Sequence, residues 1–369
     1  MPASFRLENC SETDVTRFAQ ELAFVVQSGD VVCLSGELGA GKTTLARAVI
    51  RALLDDGDHE IPSPTYTLVQ SYDAPRMSVA HFDLYRLGGP EELDELGLDH
   101  CLTSGIAIIE WPEQAQDLLP TPAFHIRLVD ADDKNPDKRT LEICGDNERR
   151  TTRLQALYEL LPTPGWSPAL EIRYLQGDAS VRRYARITSP PEDETPASAI
   201  LMDWAEQPDG PPVRDGLAYS RIAHLAENVR PFLAVTRALR EIGLSAPEIY
   251  GVDVENGFVV LEDFGGDVFQ NAIMAGESPK RRYQSATDVL LKLRQSPPRL
   301  FPGIATPCFL QPLAWLPRLW NALQRKYVIS SARKFWKQKS ISLRDKKAPP
   351  PCRTSAIRFL QKTLPVLPA

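Results

Sequence analysis

No stretch of about 18 consecutive apolar residues occurs in this 369-residue chain, so nothing in it is long enough for a membrane-spanning helix. The opening MPASFRLENCSETD lacks both the basic and the apolar segment that direct export. The six cysteines, Cys10, Cys33, Cys101, Cys144, Cys308 and Cys352, never fall at C-x-x-C spacing, and the five histidines form no cluster to complete a metal site. These absences argue against a disulfide scaffold and a zinc module, and the expectation is a soluble, unexported, cytoplasmic protein with reduced thiols. What the chain does have is 43% hydrophobic residues, enough for a real core, and a length that at about 100–200 residues per domain predicts two domains and a tail.

Acidic residues are nearly missing from one end. Residues 301–369 carry 13 Lys and Arg against the single acid Asp345, whereas residues 1–300 carry 29 against 47, an asymmetry concealed by the net charge of -6. Residues 1–160 hold 14 basic and 28 acidic side chains, a net -14, the wrong sign for a surface that neutralises nucleic-acid phosphates unaided.

Ser11, with Asp14 three positions on and Val15, Phe18, Leu22 and Val25 at helical spacing, predicts a capped amphipathic helix to Val26. A short β-branched run, Val31–Leu34, predicts a strand that ends in Ser35-Gly36, and a helical pattern resumes at Lys42. Further strands are expected at Thr67–Gln70, Val79–Phe82 and Ile106–Ile109, with a helix near Glu91-Glu92-Leu93. After Leu128 the sequence turns polar, then predicts a strand at Thr140–Ile143, a helix ending near Leu161 and a linker at Pro162–Gly165. A second pattern follows, with strands at Leu170–Leu175, Tyr184–Ile187, Ala199–Met202 and Phe258–Leu261, and a helix from about Leu217–Leu225 onward.

Gly36-Glu37-Leu38-Gly39-Ala40-Gly41-Lys42-Thr43 fits G-x-x-x-x-G-K-[ST] at every fixed position and lies between a strand and a helix, the context that motif requires. Glycines let backbone N–H groups curl around phosphate oxygens, and the helix N-terminus and Lys42 add positive charge. Thr43, followed by Thr44, offers a hydroxyl to Mg2+. The fold class expected is therefore α/β: a three-layer P-loop NTPase domain, followed by an α+β small lobe and an irregular basic tail.

Hydrolysis needs more oxygen ligands for the metal and a group to orient water. Thr65, in Ser63-Pro64-Thr65-Tyr66-Thr67, is placed to present a hydroxyl to the metal or the terminal phosphate, although read alone the segment is also an ordinary proline turn. Asp83 follows Val79–Phe82, with His81 on the same strand face, and is placed to hold the metal. Glu110 follows Ile106–Ile109 in the same manner and is the candidate to orient or deprotonate water, with Trp111 beside it to cover the nucleotide. Either acid alone also reads as a solvated strand end.

Taken together, GELGAGKTT (36–44), SPTYTLV (63–69), HFDLYRL (81–87) and IEWPE (109–113) resemble the bacterial tRNA threonylcarbamoyladenosine biosynthesis ATPase family, TsaE, over about residues 5–160. That resemblance implies a small ATPase, with ATP and Mg2+ as cofactors, that works with TsaD and TsaB in forming N6-threonylcarbamoyladenosine at position 37 of tRNA. It implies nucleotide contacts along residues 36–44 and from Trp111, catalytic roles for Lys42, Asp83 and Glu110, and a metal set of Thr43, Thr65, Asp83 and Glu110. Tyr85 and Arg86 match the motif without a defined role.

GDASVRRYAR (177–186) and VVLEDFGGD (259–267) resemble the small lobe of aminoglycoside-phosphotransferase-type kinases, nearest to cell-wall amino-sugar kinases. Such kinases use H-x-D-x-x-x-x-N and D-x-D; neither occurs after residue 170, where His224 is the only histidine. The domains expected are 1–161, the ATPase; 168–298, an incomplete kinase-like lobe; and 299–369, a basic tail that is either the product of an altered reading frame or a disordered segment. Translating the other two frames past codon 298 tests the reading-frame idea, which fails if neither shows the missing motif. Two alternatives stand beside the ATPase: a small-molecule kinase, and a catalytically dead nucleotide- or sugar-binding module in the second half.

Overall fold

The computed structural model describes residues 4–131, 137–161, 169–175, 182–189, 198–206, 210–222, 226–266 and 268–295. The linker at 162–165, the Gly177–Val181 part of the loop and the 299–369 tail lie outside the described residues. By compactness the chain divides into two units, the first comprising residues 1–205 and 248–263 and the second 206–247 and 264–369.

The first unit opens with β1 (Ser4–Cys10), α1 (Glu12–Val25), β2 (Val31–Ser35) and α2 (Lys42–Leu54). Ser11 caps α1 in a reciprocal box with Asp14. Then follow β3 (Val69–Asp73), β4 (Ser78–Asp83), α3 (Pro90–Glu95), α4 (Leu98–Ser104), β5 (Gly105–Glu110), β6 (Phe124–Asp130), β7 (Arg139–Cys144) and α5 (Glu148–Leu160). The strands form one sheet in the order β1-β7-β6-β2-β5-β4-β3, in which β6, β2, β5 and β4 are parallel.

Strand alternation divides the core in two. Val32, Leu34, Val79, Ile106 and Ile108 pack on the side of α1, α2 and α5. Their neighbours Val31, Cys33, Ala80, Phe82, Ala107 and Ile109 pack with Leu93 and Leu98 of α3 and α4. Helices on both faces of a mostly parallel sheet make the three-layer α/β domain expected.

A second sheet in the same unit is antiparallel throughout: β8 (Glu171–Leu175), β9 (Arg183–Thr188), β10 (Ser198–Asp203), then β13 (Ile249–Asp253) and β14 (Phe258–Glu262), in the order β13-β14-β10-β9-β8. The second unit holds β11 (Pro212–Arg214), β12 (Leu217–Ala218), α6 (Tyr219–Ile222), α7 (Arg230–Glu241), α8 (Phe269–Met274) and α9 (Pro279–Gln295). Among the described residues no helix is long and apolar enough to cross a membrane.

Some elements depart from expectation. The strand placed at Thr67–Gln70 begins two residues later, because Leu68 adopts a left-handed φ of 61° that a strand does not accept. The helix placed from Leu217 starts only at Tyr219, because Asp215 and Gly216, at φ 53° and 74°, form an Asp-Gly turn that pairs Leu217–Ala218 with Pro212–Arg214. The strands β1, β6, β11 and β13 and the helices α4, α8 and α9 are not among the elements expected from sequence.

Candidate nucleotide site

Parallel strands aim their C-terminal ends the same way, and three neighbours here, β2, β5 and β4, end in Ser35, Glu110 and Asp83. Register pairs Leu34 with Glu110 and Asp83 with Glu110, so both acids and the start of the glycine loop lie along one sheet edge.

The loop is shaped by its glycines. Gly36, Gly39 and Gly41 have φ of 139°, 83° and 104°. A Cβ at Gly36 would lie 2.4 Å from the Leu128 carbonyl, whereas nothing lies within 4 Å of one at Gly39. Gly41 begins the 13-residue α2 with no side-chain cap, which leaves first-turn N–H groups for an anion. Arg139 holds the loop from outside by donating through Nε to the Ala40 carbonyl at 3.0 Å.

Lys42 is buried, and its Nζ donates to the carbonyls of Gly36 at 2.7 Å and Glu37 at 2.8 Å. The same ammonium lies 3.6 Å from the centre of the Trp111 ring, which in turn packs against Tyr85 with centroids 5.0 Å apart. Burial lowers the pKa of Lys42, against the opposing charges of Glu110, Glu113 and Asp83. Trp111 holds a left-handed φ of 58°, a strained state for a bulky residue that concentrates at functional positions.

Two hydroxyl–carboxylate pairs face this loop. Thr43 Oγ1 donates to Glu110 Oε2 at 2.8 Å, and Thr65 Oγ1 donates to Asp83 Oδ2 at 2.7 Å. Each hydroxyl spends its proton on a carboxylate and keeps oxygen lone pairs, one of which at Thr65 faces the Ser63 hydroxyl 2.8 Å away. Ser63 Oγ adds a 3.3 Å bond to Asp83, and the backbone N–H of Tyr85 caps the other Asp83 oxygen at 3.2 Å. The loop bearing Thr65 is tied down by Asp83 N donating to the Leu68 carbonyl at 3.0 Å.

The contact that spacing does not foretell is His81. Its Nε2 lies 2.8 Å from Glu110 Oε1, with both side chains buried, so Glu110 is held at one oxygen by Thr43 and at the other by His81. The other ring nitrogen of His81, Nδ1, is buried with no hydrogen-bond partner among the described residues. Beside the loop, Ser35 Oγ meets His125 Nε2 at 2.9 Å, and burial lowers the His125 pKa. Arg86 lies 4.6 Å from the ring of Tyr66, an 83% exposed residue of the Thr65 loop.

The residues of the second sheet singled out from sequence are occupied differently. Arg186 Nε donates to Asp263 at 2.7 Å, and Arg183 Nε donates to Asp203 at 3.1 Å. Two of the three arginines of the 177–186 motif thus end in ion pairs, and the third, Arg182, lies over the Trp204 ring at 5.0 Å.

A glycine loop between a parallel strand and a helix, flanked by hydroxyl–carboxylate pairs on adjacent strand ends, defines a P-loop nucleotide-binding domain. The sequence profile described as threonylcarbamoyl adenosine biosynthesis protein TsaE matches residues 9–141, and that of the phosphotransferase enzyme family matches residues 171–365. A TsaE protein of Rickettsia bellii is 39% identical over 136 residues, which cover 37% of this chain and 92% of that protein. One from Haemophilus influenzae is 37% identical over 138 residues, covering 36% and 84%. The crystal structure of Bacillus subtilis YdiB is 25% identical, covers 43% of this chain and 97% of its own, and superposes with a TM-score of 0.36. The chain belongs to the TsaE family, with a region of the phosphotransferase enzyme family fused behind it.

Proposed function

We propose that residues 1–161 are a magnesium-dependent ATPase that acts in the cytoplasm, with TsaD and TsaB, in forming threonylcarbamoyladenosine on tRNA. The observation that carries this reading is the convergence of Lys42, Thr43–Glu110 and Thr65–Asp83 on the ends of adjacent parallel strands beside an uncapped helix. The names of relatives that this chain covers almost end to end supply the pathway.

The residues present fit both ligands. Nucleotide phosphates suit the glycine loop, the α2 N-terminus and Lys42, with Leu38, Ala40 and Thr44 of the same segment around them. Mg2+ suits hard oxygen from Thr43, Thr65, Asp83 and Glu110. Phosphate oxygens and water would complete the shell of an ion held there. When bound, the ion supplies positive charge to the phosphate oxygens.

The protein's own part is positioning. His81 and Thr43 fix the two oxygens of Glu110, which orients water and accepts its proton. Trp111 and Tyr85 form an aromatic wall over Lys42 that limits solvent. The net -14 of residues 1–160 assigns tRNA contact to the partners.

For the rest of the chain we propose the boundaries 168–298 for the kinase-like region and 299–369 for the basic tail; the phosphotransferase match runs across the second boundary. No kinase reaction is assigned, because the H-x-D-x-x-x-x-N and D-x-D sequences are missing after residue 170. The test is multiple-turnover formation of threonylcarbamoyladenosine by TsaD, TsaB and tRNA with this chain added. Sustained modification is expected with the wild type but not with Lys42→Ala; modification indifferent to the chain rejects the reading.

A further inference from the structure

The two family matches split the chain between residues 141 and 171, but its hydrophobic core does not split there. Phe18 and Leu22 of α1 and Leu157 and Leu160 of α5 belong to one continuous buried cluster with Ile172, Ala185, Leu201 and Phe258 of the second sheet. Gly251 of β13 leaves room for Leu160, whose Cδ1 would lie 3.2 Å from a Cβ there.

Polar groups close the seam. β8 is an edge strand, and an unpaired edge is a liability. Gln20 of α1 treats it as a neighbouring strand would: its Nε2 donates to the Leu170 carbonyl at 3.3 Å, and its Oε1 accepts from the Ile172 N–H at 2.6 Å. The last turn of α1 has no basic residue of its own for its carbonyls. Arg76 supplies one, donating to Ala23 at 2.8 Å and Val26 at 2.6 Å while lying over the Tyr174 ring of β8 at 5.0 Å. Arg183 of β9 supplies another, donating to the Phe24 carbonyl at 3.1 Å. Asp203 of β10 sits between Arg183 and Arg153 of α5, and Arg153 also donates to the Asn256 carbonyl at 3.1 Å. A buried carboxylate shared by two guanidinium groups from different segments fixes register as well as charge.

We propose that the phosphotransferase-type sheet is a permanently docked partner of the P-loop domain, closing its α1/α5 face through Gln20, Arg183 and the Arg153–Asp203 pair. The folded unit carrying the nucleotide site therefore extends past residue 161 to include the described residues 169–175, 182–189, 198–205 and 248–263. The conclusion is independent of which reaction the P-loop domain performs.

The test is to insert a protease site between residues 162 and 168 of the full chain, cleave it, and measure fragment association by size exclusion and titration. The wild-type fragments are expected to stay together at micromolar concentration. Asp203→Ala should weaken association at least 30-fold, about 2 kcal/mol at 1.4 kcal/mol per tenfold. Gln20→Ala, which leaves the second sheet's sequence unaltered, should weaken it about 5- to 10-fold through two lost hydrogen bonds. Arg186→Met, whose Asp263 pair lies within the second sheet, should leave it unchanged. Wild-type fragments that separate on cleavage, or association that neither Gln20→Ala nor Asp203→Ala weakens, overturns the proposal.

Discussion

The two sheets of the first unit use strand-end charge in opposite ways. In the P-loop sheet, Asp83 and Glu110 accept from hydroxyls and a histidine, and the nearby ammonium of Lys42 bonds to backbone carbonyls rather than to either acid. In the second sheet, Asp203 and Asp263 are matched by Arg153, Arg183 and Arg186. Carboxylates held by hydroxyls and an imidazole are open to a cation or a proton, whereas carboxylates locked by guanidinium groups have spent their charge on structure. The lesson is that an acid at a strand end is informative only together with the partner that holds it.

Breaking the structural pairing should have the largest effect. Asp203→Ala leaves two guanidinium groups facing each other without a counter-charge and should cost about 3–5 kcal/mol of stability, read by urea denaturation of the full chain. On the other side of the comparison, Lys42→Ala should weaken ATP binding about 100-fold or more by calorimetry while changing the urea midpoint little. Glu110→Gln sharpens the contrast further: it should keep ATP affinity within about threefold but slow phosphate release about 100-fold, because the amide takes no proton from water.

A pH-dependent effect concerns a carboxylate in neither class. Glu21 of α1 is fully buried beside Arg17, 3.2 Å away, and burial pushes its pKa up to about 8 from 4.5. The folded state then holds a proton that the unfolded chain has lost, so stability should fall as pH rises from about 5 to 8. Glu21→Gln removes that titration, and thermal midpoints measured across this window should show a flatter decline than wild type. An identical slope in both proteins rules out Glu21 as the source.

Much of the P-loop domain was legible because its signals are local. The loop's glycines lie where the chain must take positive φ, and the runs before Ser35 and Glu110 are short and apolar, as is the run before Asp83 apart from His81. β6 is absent from the sequence expectation although Phe124, Ile126 and Leu128 alternate with His125 and Arg127 as a strand requires; the polar stretch that follows Leu128 masks that short signal. The His81–Glu110 contact was not legible: alternation places His81 on the face of Asp83, but only the pairing of β4 with β5 carries it to Glu110. In the second sheet four of the five strands were readable, β13 being the exception, while the partners of Arg183 and Asp203 depend on a fold between segments that no periodicity reports.

The most direct test of the central claim, that one sheet edge of this chain is built for ATP hydrolysis, is phosphate release from MgATP by the purified full chain beside its Lys42→Ala variant. The account predicts release by the wild type, stimulated by TsaD, TsaB and tRNA, and only background from Lys42→Ala. Equal release from both proteins would contradict it and move the chemistry away from residues 36–44.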